Sequence, residues 1–433
     1  MNKVYIETYG CQMNLNDTEI VSSILNENGY EIVNDIKQAN VILLNTCSVR
    51  ENAERKIFEK LIHLQQYKKR KSNLVVGVIG CMAERLQEQI SNDRKIVNLI
   101  VGPDEYRKLP YLIENSALGK VGIAVELNNF EIYDDIEPLR TNGISAWLSI
   151  MRGCNNFCSY CVVPSTRGRE RSRDFDSIIQ EIKDLNSKGF KEVTLLGQNV
   201  NSYKSNNHGF PELIEAAAIS APIMRIRFIT SHPKDMSDEL IIKMSEHKNI
   251  CKYIHLPVQS GSNRILKLMN RKYTIEHYLD RINKIKEYMP ECSLTTDLIA
   301  GFPTETEEEH QETLELLKIV KYDGAFMFRY SPRENTSAYE LEDNVAEDVK
   351  LRRLNEIISL QNIISKELNK NEIGRTFEVL AEGTSKRNKE EWYGRTETNK
   401  VVVFPTNNNL SAGSLIKVKI LRSTSATLFG EIV

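Results

Sequence analysis

The sequence predicts an α/β protein in three parts: an N-terminal open parallel-sheet domain, a central (β/α) partial barrel and a small C-terminal antiparallel β-barrel. Three observations lead there. At 433 residues the chain is too long for one core, given one domain per roughly 150 residues. Apolar strand-like runs alternate with charged helical stretches over most of its length, the pattern of parallel sheets covered by helices. From Glu372 that alternation gives way to short β runs with turns between them, as in a small closed barrel.

In residues 1–125, the runs "KVYIETY", "NVILLNT" and "NLVVGVIG" end beside Cys11, Cys47 and Cys81. Ligands of open parallel sheets bind outside the carboxyl ends of the strands. The three cysteines, 36 and 34 residues apart, are therefore predicted to be neighbours holding one metal site. The competing reading is three unrelated buried thiols, since free cysteine packs as a small hydrophobe. Residues 126–145 are polar, acidic and turn-rich, and predict a linker. From 146 to 371, "AWLSIM", "EVTLLG", "MRIRFIT", "KYIHLPV", "SLTTDLIAGF" and "GAFMFRYS" supply six barrel strands, followed by a long helical run. The small barrel occupies 372–433, with "TFEVLAEG", "VVVFP" and "SLIKVKIL" as strands.

Composition excludes several classes. With 41% hydrophobic and 27% charged residues, the chain reads as an ordinary globular protein. It shows no signal-peptide pattern and no apolar run of the roughly 18 residues that cross a bilayer, so a cytoplasmic location without membrane contact is expected. Thiols there stay reduced, and eight cysteines argue for metal or catalysis over disulfides. A net charge of -2 leaves nucleic-acid contact to local patches, such as "YKKRK" at 67–71, "RGRERSR" at 167–173 and the tail.

"MRGCNNFCSYCVVPSTRGRERSR" places Cys154, Cys158 and Cys161 in a Cys-x3-Cys-x2-Cys spacing. Three thiolates are one short of a closed zinc tetrahedron and odd for disulfides. They suffice for three irons of a four-iron cubane, leaving one iron open. A zinc site or an electron carrier would have to borrow Cys251 or Cys292, both in apolar strand contexts that read as core.

This spacing, after the first strand of a (β/α) barrel, resembles the radical S-adenosylmethionine superfamily. "ETYGCQMNLNDTE", "NTCSVRENAERK", "GCMAER", "LGQNVNSY", "HLPVQSGS", "MNRKYT", "DLIAGFPTET" and "YSPRENTSA" follow in the order of its methylthiotransferases. "NTCSVRENAE" and "GQNVNSY" resemble the branch acting on transfer RNA. Ser165 stands where an aromatic is common. The resemblance implies a radical-SAM partial barrel, a TRAM-like RNA-binding barrel at the tail, and two 4Fe-4S clusters, one on Cys154, Cys158 and Cys161 and an auxiliary one on Cys11, Cys47 and Cys81. S-adenosylmethionine would serve as both methyl donor and radical source. The implied reaction adds a methylthio group at carbon 2 of N(6)-dimethylallyladenosine at position 37, in the anticodon stem-loop of tRNA. The implied partners are that tRNA and a reduced flavodoxin or ferredoxin-type donor, with the chain acting as a monomer. A sister methylthiotransferase on threonylcarbamoyladenosine, or a non-catalytic RNA-binding protein with structural metal sites, are the rival readings.

The chemistry suits the residues. The hydrogen on carbon 2 of adenine is not acidic enough for a protein base, whereas a carbon radical removes it, and a second incomplete triplet leaves an open iron for sulfur. By the same resemblance Gly197, Gln198 and Asn199, Gln259 and Ser260, and Gly301 would bind S-adenosylmethionine, in loops at the carboxyl ends of barrel strands. Arg167, Arg169, Arg171 and Arg173 alternate and in an extended chain share a face that could meet phosphate. Trp392, Tyr393 and Phe404 are candidates for stacking on bases, with core packing as the competing role. His232 and His255 are expected to pack or hydrogen-bond, and "TETEEEH" to open a helix.

Overall fold

Near-continuous apolar runs make strands buried on both faces, as at Val41–Thr46, Val75–Gly80 and Leu99–Val101, and the first six strands lie side by side in a parallel sheet. In this computed structural model, which describes residues 2–48, 51–71, 73–93, 96–140, 143–406 and 410–433, they are β1 (Lys3–Tyr9), β2 (Glu31–Ile32), β3 (Val41–Thr46), β4 (Val75–Gly80), β5 (Leu99–Val101) and β6 (Gly122–Ala124). Their order is β2-β1-β3-β4-β5-β6. Tyr9 pairs with Thr46 and Thr46 with Gly80, so β1, β3 and β4 end level with one another. That register positions the first three cysteines.

The segment read as a linker does not hang free. Tyr133 and Ile136 belong to the core of the first sheet, and the Tyr133 hydroxyl donates to the Pro103 carbonyl at 3.0 Å. Its polar composition hides two apolar anchors, which bury it against the domain it leaves. Residues 141 and 142 of the same stretch lie outside the described residues.

The second part begins with β7 (Ser145–Ser149) and continues through β8 (Met151–Arg152), β9 (Arg171–Ser172), β10 (Glu192–Leu196), β11 (Lys204–Ser205), β12 (His208–Gly209), β13 (Arg225–Phe228), β14 (Tyr253–His255), β15 (Ser293–Ala300) and β16 (Gly324–Arg329). The six expected strands form two parallel three-stranded sheets, β13-β10-β7 and β14-β15-β16, joined by a parallel bridge between Ile226 and Ile250. The barrel is thus partial, with β7 and β16 as its free edges. Leu148, Leu195, Phe228 and Leu298 face outward into one helix-packed core, and the alternate residues face inward. The acidic run opens the helix Glu307–Val320, where Thr306 and Glu309 make a reciprocal capping box. The helical run after β16 is Glu347–Lys370.

The tail closes into a five-stranded barrel, β17-β18-β19-β21-β20, built from β17 (Thr376–Thr384), β18 (Glu391–Thr396), β19 (Val401–Pro405), β20 (Leu415–Ser423) and β21 (Leu428–Ile432). It sits against the amino ends of the partial barrel's strands. Arg225 donates to the Arg395 carbonyl at 3.0 Å and Arg227 to the Glu397 carbonyl at 2.8 Å. Lys400 pairs with Asp323 at 3.0 Å. Among the described residues no helix is long and apolar enough to cross a membrane.

Candidate metal centres

Cys11, Cys47 and Cys81 follow β1, β3 and β4 immediately or within one or two residues, and the matched strand ends bring them to one place. Cys11 caps the helix Gln12–Glu27 and Cys81 begins the helix Cys81–Arg85. Two glycines permit the approach. A Cβ on Gly10 would lie 2.5 Å from Cys47 Cβ, and one on Gly80 would lie 2.6 Å from Asn45 Oδ1; both residues have positive φ, +144° and +92°. Beneath the thiols, Asn14 and Asn45 interlock the loops. Asn14 Nδ2 donates to Asn45 Oδ1 at 3.2 Å, and Asn45 Nδ2 returns a bond to the Asn14 carbonyl at 2.8 Å.

The thiols differ electrostatically. A hydrogen bond with Cys47 draws the Cys11 thiol down to about 6, against its burial and with help from Arg167. Cys81 is pushed up by burial, although Arg167 Nε donates to its Sγ at 3.1 Å. That arginine comes from the helix Val163–Arg167, six residues beyond Cys161, so the loop carrying the second triplet supplies a side chain to the first.

The second triplet rides the loop after β8. The Cys154 amide donates to the Gly168 carbonyl at 3.2 Å, and the Cys161 amide to the Cys158 carbonyl at 3.0 Å. The Asn156 amide donates to Cys154 Sγ at 3.5 Å. Arg271, from "MNRKYT", donates through Nη1 to Cys158 Sγ at 3.3 Å and through Nη2 to the Pro257 carbonyl at 2.9 Å. Burial raises Cys154 to about 11 and Cys161 to about 12, and repulsion from Cys158 adds to both. Burial therefore keeps these thiols protonated, and a cation bound by them would have to displace those protons.

An ion cluster joins the two loops. Asp17 accepts from Arg152 at 2.8 Å and from Arg167 at 2.6 Å, with the three side chains 0%, 1% and 4% exposed. Burial pushes the Asp17 carboxyl up, but the two guanidiniums outweigh it and leave it below the usual range. Arg171 pairs with Asp104 at 2.9 Å, again across the two domains. On the far side, Arg333 beyond β16 reaches Glu54 at 3.2 Å. The first domain therefore spans the opening between the edges of the partial barrel.

The donor sets fit polynuclear metal. Four sulfurs around one zinc stand about 3.8 Å apart, from Zn–S bonds near 2.3 Å. Among the described residues, the trios of donor atoms within 4.8 Å of one another are Glu215, Glu246, His247 and Glu307, His310, Glu356. Each triplet offers three thiols, one short of the four that close a zinc tetrahedron, which suits thiolates bound to three irons of a cluster. Cys251 and Cys292 stand just before β14 and β15, at the amino ends of those strands, away from the carboxyl ends where the triplets lie, so neither joins a triplet.

The remaining predicted residues divide. Asn199 is buried and donates to Asp235 at 2.7 Å, while its Oδ1, Gln198 Oε1 and His232 Nε2 are buried without a partner in the described structure. These are groups a polar ligand would satisfy. Burial, with Arg271 and Lys234, lowers His232 to about 2, so it stays neutral. Gln259 has a φ of +74° and joins β15 through its amide to the Asp297 carbonyl at 2.9 Å; Ser260 is fully buried. The two glycines have a packing role of their own. Met151 fills the space at Gly197 and Lys350 that at Gly301, so their lack of a side chain serves packing.

The arginine face does not form. A helix and a bend interrupt the extended chain, and Arg167, Arg171 and Arg173 are buried, the last paired with Glu181 at 2.8 Å. Arg169 alone of the four is exposed, over the Phe157 ring at 4.5 Å. Phe404 is sealed in the core of the small barrel and Trp392 packs on that core, because their register pairing places both on its inner side. Tyr393 stays half-buried. Sequence reasoning missed Asn14, Asn45, Asp17, Arg152 and Arg271 as parts of the site, although each lies in a stretch quoted above for its cysteines or its family resemblance.

The chain matches the Radical SAM superfamily over residues 148–317, the uncharacterized protein family UPF0004 over 3–102 and the TRAM domain over 370–433. It is 55% identical over 436 residues to a tRNA-2-methylthio-N(6)-dimethylallyladenosine synthase of Parabacteroides distasonis, covering 99% of this chain and 95% of that relative. It is 56% identical over 432 residues to the one of Chloroherpeton thalassium, covering 99% and 96%. In fold it is similar to the radical S-adenosylmethionine methyltransferase TsrM of Kitasatospora setae, with TM-score 0.59 at 14% identity over 78% of this chain and 77% of that one. OxsB, a cobalamin-dependent S-adenosylmethionine radical enzyme, gives TM-score 0.55 at 14% identity over 83% and 56%. With near-complete coverage of relatives at more than half identity, the chain belongs to the tRNA-2-methylthio-N(6)-dimethylallyladenosine synthase family of radical S-adenosylmethionine enzymes.

Proposed function

We propose that this protein methylthiolates carbon 2 of N(6)-dimethylallyladenosine at position 37 of tRNA, in the cytoplasm, using electrons from a reduced flavodoxin or ferredoxin-type protein. The observation that carries the reading is the meeting of the two cysteine triplets, with Arg167 leaving the loop of one to bond the sulfur of the other. A 4Fe-4S cluster on each triplet, with S-adenosylmethionine, would supply the one-electron chemistry and the transferred sulfur.

The chain's own part is to bind, orient and enclose. Arg271 fixes Cys158 against the barrel wall, and the Asn14–Asn45 pair holds the Cys11 and Cys47 loops in register. The orphaned polar atoms of Gln198, Asn199 and His232, with Gln259 and Ser260 beyond the neighbouring strand, suit the polar ends of S-adenosylmethionine. Asp17, held by two arginines, fixes the distance between the triplets and so the path sulfur must cover. Half-buried Tyr393 and exposed Arg169 remain available to RNA.

Anaerobic iron and sulfide analysis tests this. About eight irons per chain are expected from two four-iron clusters, and zinc in their place would make the sites structural. Changing Cys154, Cys158 and Cys161 together to alanine should abolish 5′-deoxyadenosine formation and leave roughly half the iron. Assays on tRNA with and without the dimethylallyl group, beside threonylcarbamoylated tRNA, test the substrate; product only from the last would assign the sister reaction.

A further inference from the structure

The inner wall of the partial barrel carries two large aromatic side chains that are substantially exposed. On β15 and β16 the side chains of Leu294, Leu298, Ala325 and Met327 pack outward on the helices, so Thr295, Asp297, Phe326 and Phe328 turn inward. Phe326 and Phe328 are 53% and 42% exposed there, opposite Asp297 and Ile299 in the strand register. They share one face two residues apart. His255 holds Phe326 in place, its ring edge-on at 5.7 Å, and is itself fixed by Thr295 at 3.0 Å and Asp297 at 3.4 Å.

Two large aromatic side chains left in water on the inside of a barrel are a site for an apolar ligand group. The wall runs toward the second triplet and toward the first domain. Two residues past His255, the Pro257 carbonyl accepts from the arginine that bonds Cys158, and beyond β16 Arg333 reaches the first domain at Glu54. An adenine extruded from the anticodon loop stacks on aromatic side chains. A five-carbon branched alkenyl group on N6 is the part of this substrate that gains from an apolar wall. Carbon 2 and the N6-bearing carbon flank N1 of the ring, so gripping the N6 substituent orients carbon 2 without touching it.

We infer that Phe326 and Phe328 form the wall that recognises the dimethylallyl substituent of the target adenosine, an inference that rests on the methylthiolation reading above. The test measures Kd of the reconstituted enzyme for an anticodon stem-loop RNA carrying dimethylallyladenosine or plain adenosine at position 37. Wild-type protein should prefer the modified RNA, and Phe326→Ala or Phe328→Ala should reduce that preference about tenfold. Phe326→Leu, which keeps an apolar surface, should retain most of it and so separates loss of the wall from a folding defect. Undiminished preference in both alanine variants, or equal weakening of both RNAs, would overturn the wall. A wild-type enzyme that neither discriminates the RNAs nor methylthiolates the modified one would overturn the reaction instead.

Discussion

Asp17 carries two arginines from another domain, all three side chains being buried. Removing one partner of such a buried set leaves charge uncompensated, at a typical cost of about 3 kcal/mol. Arg167→Ala is therefore expected to lower unfolding free energy by about that much in urea titrations, and Asp17→Ala by at least as much, since it strands two guanidiniums. A loss under about 1 kcal/mol for both would mean water reaches the cluster. The six triplet cysteines were legible in the sequence because local spacing and strand ends announce them. Asp17 was not: its partners lie 135 and 150 residues away, and no local pattern encodes a pairing that only the docking of two domains creates. The same holds for Arg171 and Arg173, whose alternation looked like a phosphate-facing stripe until their acidic partners were placed.

At the scale of elements, long apolar runs gave themselves away, and β1, β3, β4 and the six barrel strands lie where periodicity put them. β5 and β6, of three residues each, are too short for any period to show, and their sheet neighbours define them. Tyr133 and Ile136 illustrate the reverse, two apolar side chains converting a turn-rich stretch into part of a core. The turn between β4 and Cys81 is where an element serves the site most directly. Gly80→Ala would force a side chain at positive φ to within 2.8 Å of the Thr46 carbonyl. We expect about 2 kcal/mol of destabilisation, together with weaker iron retention on the first triplet in the variant lacking Cys154, Cys158 and Cys161. Iron content equal to that of the Gly80 parent would show that the turn adapts.

The whole molecule is tied together by charge, and one tie is sensitive to pH. Glu19 of the first domain and Glu181 of the second converge on Arg140, at 3.8 Å and closer. Burial, with Glu181 nearby and despite Arg140, raises Glu19 to about 7. An unfolded glutamate titrates near about 4.3. Between those values the folded protein holds a proton that the unfolded chain has released, so stability falls as pH rises and this contribution is gone above about 7. Glu19→Gln should remove it, so the urea midpoint of the wild type should drop more than the variant's between pH 5.5 and pH 8. Parallel profiles would show that Glu19 titrates normally. The three-part architecture was legible from composition and period, but how the parts seat was not, because it depends on single long side chains such as Arg225, Arg227 and Lys400.

The small barrel's position at the amino ends of the central strands has a kinetic meaning. With that end covered by Arg225, Arg227 and their carbonyl partners, and with the first domain across the lateral gap, the carboxyl ends of the strands are the doorway left to a substrate. A nucleoside that enters there would leave by the same side, carrying its new methylthio group past the same walls. Turnover would then be paced by vacating that doorway, and each tRNA has to leave before the next can be admitted.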